Sequence, residues 1–167
     1  MLREKYDYIV AGAGSAGCAV AARLSENGKY SVCLLEAGGE DSSFWVHMPL
    51  GVGKMLTNPS YVWQYMTSAE QHLAERSDYW PRGRMLGGSS SVNGMVFVRG
   101  EPRRYDGWRD QGNPGWGWSD MLPFFRKLEN RIAPEGSVRS PLRASGGPIT
   151  CTDTTQRDVV SAAWIEA

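Results

Sequence analysis

Apolar residues near the N-terminus form two short runs with an amphipathic segment between them. Residues 6–11 and 31–36 each hold consecutive apolar side chains, which predicts two short buried strands. Residues 15–27 place apolar side chains on one face at helical spacing, and Gly28 stands where such a helix would end. The order strand, helix, strand predicts a βαβ unit with parallel strands and a right-handed crossover.

The pattern beyond residue 37 is less regular and predicts shorter elements. In chain order these are a short helix within 46–56, a strand at 61–67 with a hairpin arm returning by Tyr79, a loop at 81–88, a buried helix at 89–98, a turn region at 108–118, a helix from the N-cap Ser119 to Leu128, a strand at 149–151 and a helix at 158–167. Parallel sheets are normally buried on both faces, which one helix cannot achieve. We therefore expect an incomplete α/β fold that belongs to a longer chain.

The composition is that of a soluble globular protein and makes two classes of partner unexpected. Hydrophobic residues are 41% and charged residues 22% of the chain, and the formal net charge is zero. The balanced charge gives no reason to expect nucleic acid. No apolar run approaches the roughly 20 residues of a membrane span, and no signal peptide is evident. We expect a cytoplasmic location, with peripheral membrane association left open, and three reduced cysteines without metal-ligand spacing.

The first glycine cluster predicts a dinucleotide site. Gly12, Gly14 and Gly17 fit G-x-G-x-x-G between the first strand and the helix. The first glycine permits a tight turn, the second leaves room for a pyrophosphate, and the third lets helix and strand pack closely. Glu36, at the end of the second strand, can accept hydrogen bonds from ribose hydroxyls and would repel a 2′-phosphate. This Rossmann-like context favours a dinucleotide over an empty glycine turn, and it leaves FAD and NAD both open.

A second glycine cluster occupies residues 83–93. Gly87 and Gly88 allow the backbone to approach a ligand, and the serines at 89–91 offer donors to an anion at a predicted helix start. Asn93 adds an amide that both donates and accepts. Taken alone, these residues favour a glycine-serine turn with a serine N-cap over a ligand site.

This second cluster resembles the signature of the glucose–methanol–choline (GMC) oxidoreductases. The matching positions are Gly83, Arg84, Leu86, Gly87, Gly88, Ser89, Ser90, Val92, Asn93, Phe97, Gly100 and Asp106. Shorter matches at 34–38, 80–83, 112–116, 122–125 and 146–149 extend the resemblance over nearly the whole chain. The chain is most similar to the branch of choline and alcohol dehydrogenases and oxidases.

The resemblance implies FAD as the cofactor. The first glycine turn would hold its pyrophosphate, Glu36 its adenosine ribose, and the loop at 86–96 would pass the isoalloxazine. Val92 stands where some members carry the histidine that attaches FAD, so non-covalent binding is implied. The predicted cofactor-binding residues are Gly12, Gly14, Ser15, Ala16, Gly17, Glu36, Ala37, Trp63, Arg84, Leu86, Gly88, Ser89, Ser90, Asn93, Gly94, Met95 and Val96.

The reaction implied by the resemblance is oxidation of a small-molecule alcohol, with hydride passing to flavin N5 and a quinone or oxygen as the electron acceptor. Family members carry the catalytic base near their C-terminus, so we expect no catalytic residue in this chain and assign no role to His47 or His72. Two alternatives remain open. One is a truncated, non-catalytic nucleotide-binding fragment. The other is an NAD-dependent dehydrogenase, in which the signature at residues 83–106 would have no function.

The expected domain organisation follows from the same resemblance. Residues 1–130 would form the N-terminal part of an FAD-binding domain, with the βαβ unit at 6–36 and the flavin-contacting signature at 83–106. Residues 131–147, which are polar and contain proline and glycine, would form a linker. Residues 148–167 would begin an α+β substrate-binding domain.

Overall fold

The predicted βαβ unit is present. The computed structural model describes residues 5–137, 140–153 and 158–166. Strands β1 (Tyr8–Ala11) and β2 (Val32–Leu35) pair in parallel, and helix α1 (Ser15–Ser25) connects them. Gly14 precedes α1 and has no side chain with which to cap it. The prediction of an α/β fold built on this unit is confirmed.

The chain divides into two compact units, residues 1–96 and 97–167. The first unit continues with α2 (Phe44–His47), a 3-10 turn at Pro49–Gly51, α3 (Val52–Met55), β3 (Val62–Met66), a 3-10 turn at Gln71–Leu73, β4 (Tyr79–Gly83) and a 3-10 turn at Gly88–Ser91. The second unit contains α4 (Pro102–Asp110), α5 (Trp118–Leu128), β5 (Glu129–Ile132), β6 (Ile149–Thr152) and α6 (Val159–Glu166). No helix within the described ranges is long and apolar enough to cross a membrane.

The hairpin of β3 and β4 confirms the predicted strand at 61–67 and extends its return arm. The two strands are antiparallel, with Val62 opposite Gly83 and Gln64 opposite Pro81. The prediction of a loop at 81–88 was therefore wrong for residues 81–83, which belong to β4. Proline is tolerated here because each strand of a two-stranded ribbon keeps a free edge, where a missing N–H removes no ladder hydrogen bond.

The buried helix predicted at 89–98 is absent. A single 3-10 turn ends at Ser91, and the backbone then runs irregularly. Asn93 explains the ending, because its side-chain oxygen accepts a hydrogen bond from the Met95 N–H (2.7 Å) and so competes with helical bonding. Met95 has a φ of 58°, in the left-handed region that L residues rarely adopt.

Two helices of the second unit differ from their predicted bounds. Residues 102–110 form α4, although only a turn was predicted from 108 onwards; Pro102 at the first helical position favours this start. Helix α5 begins at Trp118, after Gly117, instead of at the predicted cap Ser119. The Asp120 carboxylate accepts the Gly117 N–H (3.1 Å), which satisfies a donor that an N-cap would otherwise leave open.

The predicted division into a cofactor domain, a linker and the start of a substrate domain stays a prediction. Glu129–Ile132 pairs in parallel with Ile149–Thr152, so the first residues of the proposed linker belong to a strand. Val138 and Arg139 of that linker, Ala167 of the last predicted helix and the first four residues of the chain lie outside the described residues.

The apolar core of the first unit lies beneath the second glycine cluster. It consists of Met55, Val62, Met85 and Val92, each at most 3% exposed. Met85 and Val92 belong to the segment 83–93, so burial of these two side chains fixes that segment on the hairpin and on α3.

A buried charge cluster organises the second unit. The Glu129 side chain is 0% exposed and contacts the guanidinium groups of Arg99 (2.5 Å) and Arg143 (2.5 Å). It also accepts the Ala144 N–H (2.9 Å). Burial opposes ionisation, but the hydrogen bonds from Ala144 and Cys151 and the two arginine charges outweigh it, so the pKa of Glu129 is lowered.

We expect Gly17→Ala to destabilise the protein, because the added Cβ would lie 1.9 Å from the Gly12 carbonyl oxygen. Overpacking of this kind typically costs about 1–3 kcal/mol. Thermal unfolding followed by circular dichroism measures the effect. Gly53→Ala is the matched control, since its Cβ would meet nothing within 4 Å and alanine favours a helix. Equal unfolding temperatures for the two variants would contradict the packing role of Gly17.

We expect Glu129→Gln to destabilise the protein at pH 7 by about 3 kcal/mol, the lower end of the range for a broken buried pair, because Arg99 and Arg143 are only partly buried when they lose the buried carboxylate. A carboxyl pKa lowered by folding contributes stability above its ordinary value of 4.5 and loses it as the pH falls through the lowered pKa. The variant should therefore lose less stability than the wild type when acidified below pH 4.5.

The control for this substitution is Glu101→Gln, which removes an exposed carboxylate paired with Arg103. Exposed pairs contribute little, so its unfolding temperature should be close to that of the wild type. Parallel acid-unfolding curves for the wild type and Glu129→Gln would show that Glu129 has no such role.

Candidate dinucleotide-binding site

A cavity of about 800 Å³ lies in the first unit where β1 and β2 end and the two glycine clusters meet. Its size falls within the roughly 300–1,000 Å³ of small-molecule sites. The residues that line it are Ala11, Gly12, Gly14, Ser15, Ala16, Gly17, Leu35, Glu36, Ala37, Trp63, Gly83, Gly88 and Ser89. The structure thus brings both glycine clusters, which are distant in sequence, to one cavity.

The two glycine clusters touch backbone to backbone. The Gly87 N–H donates to the Ala13 carbonyl (2.7 Å), and Gly14 forms a parallel bridge with Gly87. A Cβ on Gly88 would lie 2.8 Å from the Gly14 Cα, and Gly88 has a φ of 55°. Any side chain on Gly88 would therefore separate the two loops.

The three glycines of the first cluster differ in their surroundings. Gly12 turns the chain with a φ of 92°, and Gly17 packs against the Gly12 carbonyl. A Cβ on Gly14 would meet only the Gly88 Cα, at 3.9 Å. Space therefore remains beside the Gly14 backbone for a ligand to approach.

The N-terminus of α1 supplies hydrogen-bond donors at the cavity. The first helical bond joins the Cys18 N–H to the Gly14 carbonyl (2.9 Å), so the N–H groups of Ser15, Ala16 and Gly17 have no acceptor within the helix. All three residues line the cavity. Free N–H groups and the helix dipole together favour an oxyanion at this place.

Glu36 joins the end of β2 to the first glycine turn. Its Oε2 accepts the Ala13 N–H (2.7 Å), and its Oε1 accepts the Gly38 N–H (2.9 Å). A carboxylate offers about four acceptor positions, so two remain for ribose hydroxyls. The sequence indicated only the role towards a ribose; the clamp on the turn is an addition from the structure.

A cation lies beside the aromatic wall of the cavity. The Arg84 guanidinium sits over the Trp63 ring, 4.6 Å from its centroid. Arg84 Nε is buried, and no acceptor for it exists among the described residues. Trp63 lines the cavity and is 38% exposed, so the pair gives this wall a positive charge and an open ring surface.

The serines of the second cluster mainly bond to their own turn. Ser89 Oγ accepts the Gly83 N–H (3.0 Å), Ser90 Oγ donates to the Gly87 carbonyl (2.5 Å), and Ser91 Oγ donates to the Leu86 carbonyl (2.8 Å). Ser89 still lines the cavity. Their first task is thus to hold the 3-10 turn, which agrees with the alternative that the sequence left open.

The remaining predicted site residues lie away from this cavity. Ser90, Asn93 and Met95 line a separate cavity of about 250 Å³ together with His47 and Asp41. Leu86 and Gly94 line neither of these two cavities, and Val96 is 81% exposed. The role of these residues towards a cofactor stays a prediction.

Sequence reasoning missed several cavity residues because they carry no polar side chain. Ala11, Leu35 and Gly83 line the cavity through their position at strand ends. A rule that includes the last residue of each strand before a glycine turn would have found them. Within the described ranges, no group of three or more metal-ligating side chains is present.

Comparisons with known proteins agree with this geometry. Residues 6–167 match the family model for GMC oxidoreductase. The chain is 48% identical over 151 residues to an oxygen-dependent choline dehydrogenase of Vibrio vulnificus, covering 90% of this chain and 26% of that protein. It is 41% identical over 162 residues to an alcohol dehydrogenase (acceptor) of Pseudomonas putida, covering 97% of this chain and 29% of that protein.

At least one solved crystal structure has a fold similar to that of this chain. The crystal structure of pyridoxine 4-oxidase from Mesorbium loti superposes with a TM-score of 0.83 at 33% identity, covering 97% of this chain and 31% of that one. The chain therefore spans less than a third of the length of the proteins it matches.

We expect Glu36→Gln to loosen the first glycine turn. The amide keeps one acceptor oxygen, so its nitrogen would face either the Ala13 or the Gly38 N–H, donor against donor. Losing one hydrogen bond to a half-exposed charged group should lower the stability of the turn by about 1–2 kcal/mol. Amide hydrogen exchange should become faster at one of these two positions. Glu40→Gln, at an exposed carboxylate four residues on, is the control; unchanged exchange in both variants would rule out the clamp.

Proposed function

Since the chain belongs to the GMC oxidoreductase family, we propose that it binds FAD in the cavity of the first unit and that the complete protein oxidises a small-molecule alcohol. The observation that carries the proposal is the open space at Gly14. This space has the free N–H groups of α1 on one side and the carboxylate of Glu36 on the other. A dinucleotide needs hydrogen-bond donors for its pyrophosphate and an acceptor for its ribose hydroxyls.

The residues present fit an FAD pyrophosphate and its adenosine. The N–H groups of Ser15, Ala16 and Gly17 would hold the pyrophosphate, because they have no helical acceptor and line the cavity. The two free acceptor positions of Glu36 would hold the ribose hydroxyls. Ala37, which follows Glu36 along the cavity wall, adds no bulk that would block the sugar.

Arg84 would contribute positive charge to this end of the cofactor. Its guanidinium is fixed over Trp63, and its buried Nε has no acceptor among the described residues. Arg84 lies behind Trp63 and does not itself line the cavity, so its charge would act on a bound anion at a distance.

Non-covalent attachment is part of the proposal. Val92 occupies the position at which some family members attach FAD, and it has no atom that could form the bond. Its side chain is 3% exposed and packs in the apolar core with Met55, Val62 and Met85. The buried position of Val92 supports a cofactor held by hydrogen bonds and packing alone.

The reaction follows the family and the relatives. FAD supplies the hydride acceptor, and this chain's residues bind and orient it; the catalytic base would come from outside this chain. The choline and alcohol dehydrogenases to which the chain is similar support an alcohol as substrate, with a quinone or oxygen as the electron acceptor. We further infer a cytoplasmic location, which the three free cysteines support.

The domain division is proposed on the same basis. Residues 1–130 would contribute to the FAD-binding domain, residues 131–147 would connect, and residues 148–167 would begin the substrate-binding domain. The extent of the match to the family model, residues 6–167, supports assigning all three segments to one enzyme.

The complete protein should carry flavin absorbance, lose it when an alcohol is added without oxygen, and release all of the flavin when denatured.

Gly14→Val should abolish flavin retention, because the valine side chain fills the path of the pyrophosphate. Gly14 has φ −78° and ψ −173°, an extended conformation open to any residue, so the substitution adds bulk without backbone strain. Flavin absorbance of the purified protein measures the outcome.

Gly53→Val is the matched control, because its Cβ would meet nothing within 4 Å and it lies outside the cavity. That variant should keep its flavin. Normal flavin content in Gly14→Val would refute the assigned site. Flavin that stays with the denatured protein would refute non-covalent binding, and flavin that no alcohol bleaches would refute the reaction.

A further inference from the structure

A second cavity, in the unit formed by residues 97–167, is lined by cationic and hydroxyl-bearing side chains. Its volume is about 540 Å³. The lining residues are Arg126, Arg131, Ala133, Ser140, Arg143, Ala144 and Ser145. Among the described residues, no carboxylate belongs to this lining. We propose that the cavity binds a phosphate monoester dianion, independently of the nucleotide cavity.

The ion pairs among the described residues leave a positive charge around the cavity. Arg99 and Arg143 share the single carboxylate of Glu129, so one positive charge remains. Arg131 is neutralised by Asp153. Arg126 forms no ion pair with any described residue and adds a second positive charge. A phosphate monoester carries about two negative charges at pH 7, which matches this excess.

Two of the arginines are held in place before any ligand arrives. Arg131 donates from Nε (2.9 Å) and Nη2 to the two carboxylate oxygens of Asp153. The hydrogen bond between the two side chains is the largest cause of both pKa shifts. It raises the pKa of Arg131 and lowers the pKa of Asp153. Arg143 lies against Glu129 and over the Phe97 ring. Preorganised guanidinium groups bind an oxyanion without losing side-chain freedom again.

The cavity also contains a hydroxyl donor that lacks an acceptor among the described residues. The Ser140 hydroxyl oxygen accepts the Leu142 N–H (3.3 Å), which leaves its own hydrogen free to donate. An oxyanion in the cavity would accept a hydrogen bond from this hydroxyl, and the guanidinium groups of the lining arginines favour phosphate oxygens.

The size of the cavity indicates more than inorganic phosphate. About 540 Å³ lies within the roughly 300–1,000 Å³ of small-molecule sites. The organic part of a monoester would therefore also fit. A soluble metabolite or the headgroup of a phosphatidic acid would offer the same dianion, and the experiment below separates these two sources.

The test is isothermal titration calorimetry of the complete protein with glycerol 3-phosphate at low ionic strength. Arg126→Gln should weaken binding on the order of ten- to a hundredfold, the range expected for losing one charged hydrogen bond. Arg126 is exposed and forms no ion pair with a described residue, so the variant should unfold at the wild-type temperature and keep its flavin. Arg104→Gln, at an exposed arginine of the same unit outside the cavity, should bind as the wild type does.

Sedimentation with phosphatidylcholine vesicles, with and without phosphatidic acid, identifies the source of the phosphate. Binding of glycerol 3-phosphate alone supports a soluble monoester, and sedimentation only with phosphatidic acid, lost in Arg126→Gln, supports a lipid headgroup. Absence of both would overturn the proposal. So would equal weakening by Arg126→Gln and Arg104→Gln, because that would show general charge attraction and no site.

Discussion

The first unit depends on the contact between two backbones that carry no side chains where they meet. Gly14 and Gly88 approach so closely that a Cβ on Gly88 would lie 2.8 Å from the Gly14 Cα. The hydrogen bond from Gly87 to Ala13 (2.7 Å) fixes this approach. The residues that line the cavity of the first unit lie on these two loops, at the ends of β1, β2 and β4, or on β3.

Further close contacts extend this arrangement on both sides. A Cβ on Gly38 would lie 2.0 Å from the Arg84 carbonyl oxygen, and one on Gly83 would lie 2.1 Å from the Gly88 carbonyl oxygen. Glu36 then ties the first loop to β2 through two backbone N–H groups. The carboxylate that is suited to a ribose also shapes the loop, so binding and architecture depend on the same side chain.

Local patterns predicted the parts of the fold that local interactions determine. The βαβ unit was predicted because its strands and helix have clear periodicities and its turn needs glycine at fixed positions. The helix at 89–98 was wrong because a single side chain, Asn93, bonds to the Met95 N–H and diverts the backbone. The sequence carried no signal for the arginine-lined cavity, because it forms where the loop with Arg143 returns to the segment that carries Arg126 and Arg131.

The separation in sequence between the two glycine loops has a consequence for how the molecule folds. Contacts between distant segments form late, because the entropy of closing the intervening chain must be lost before the contact stabilises anything. The loops at 12–17 and 83–89 have the whole hairpin of β3 and β4 between them. A nucleotide that binds only the joined loops adds its binding free energy to the folded state alone. If the proposed cofactor binds there, its supply during synthesis would therefore raise the share of the protein that reaches and keeps its native structure.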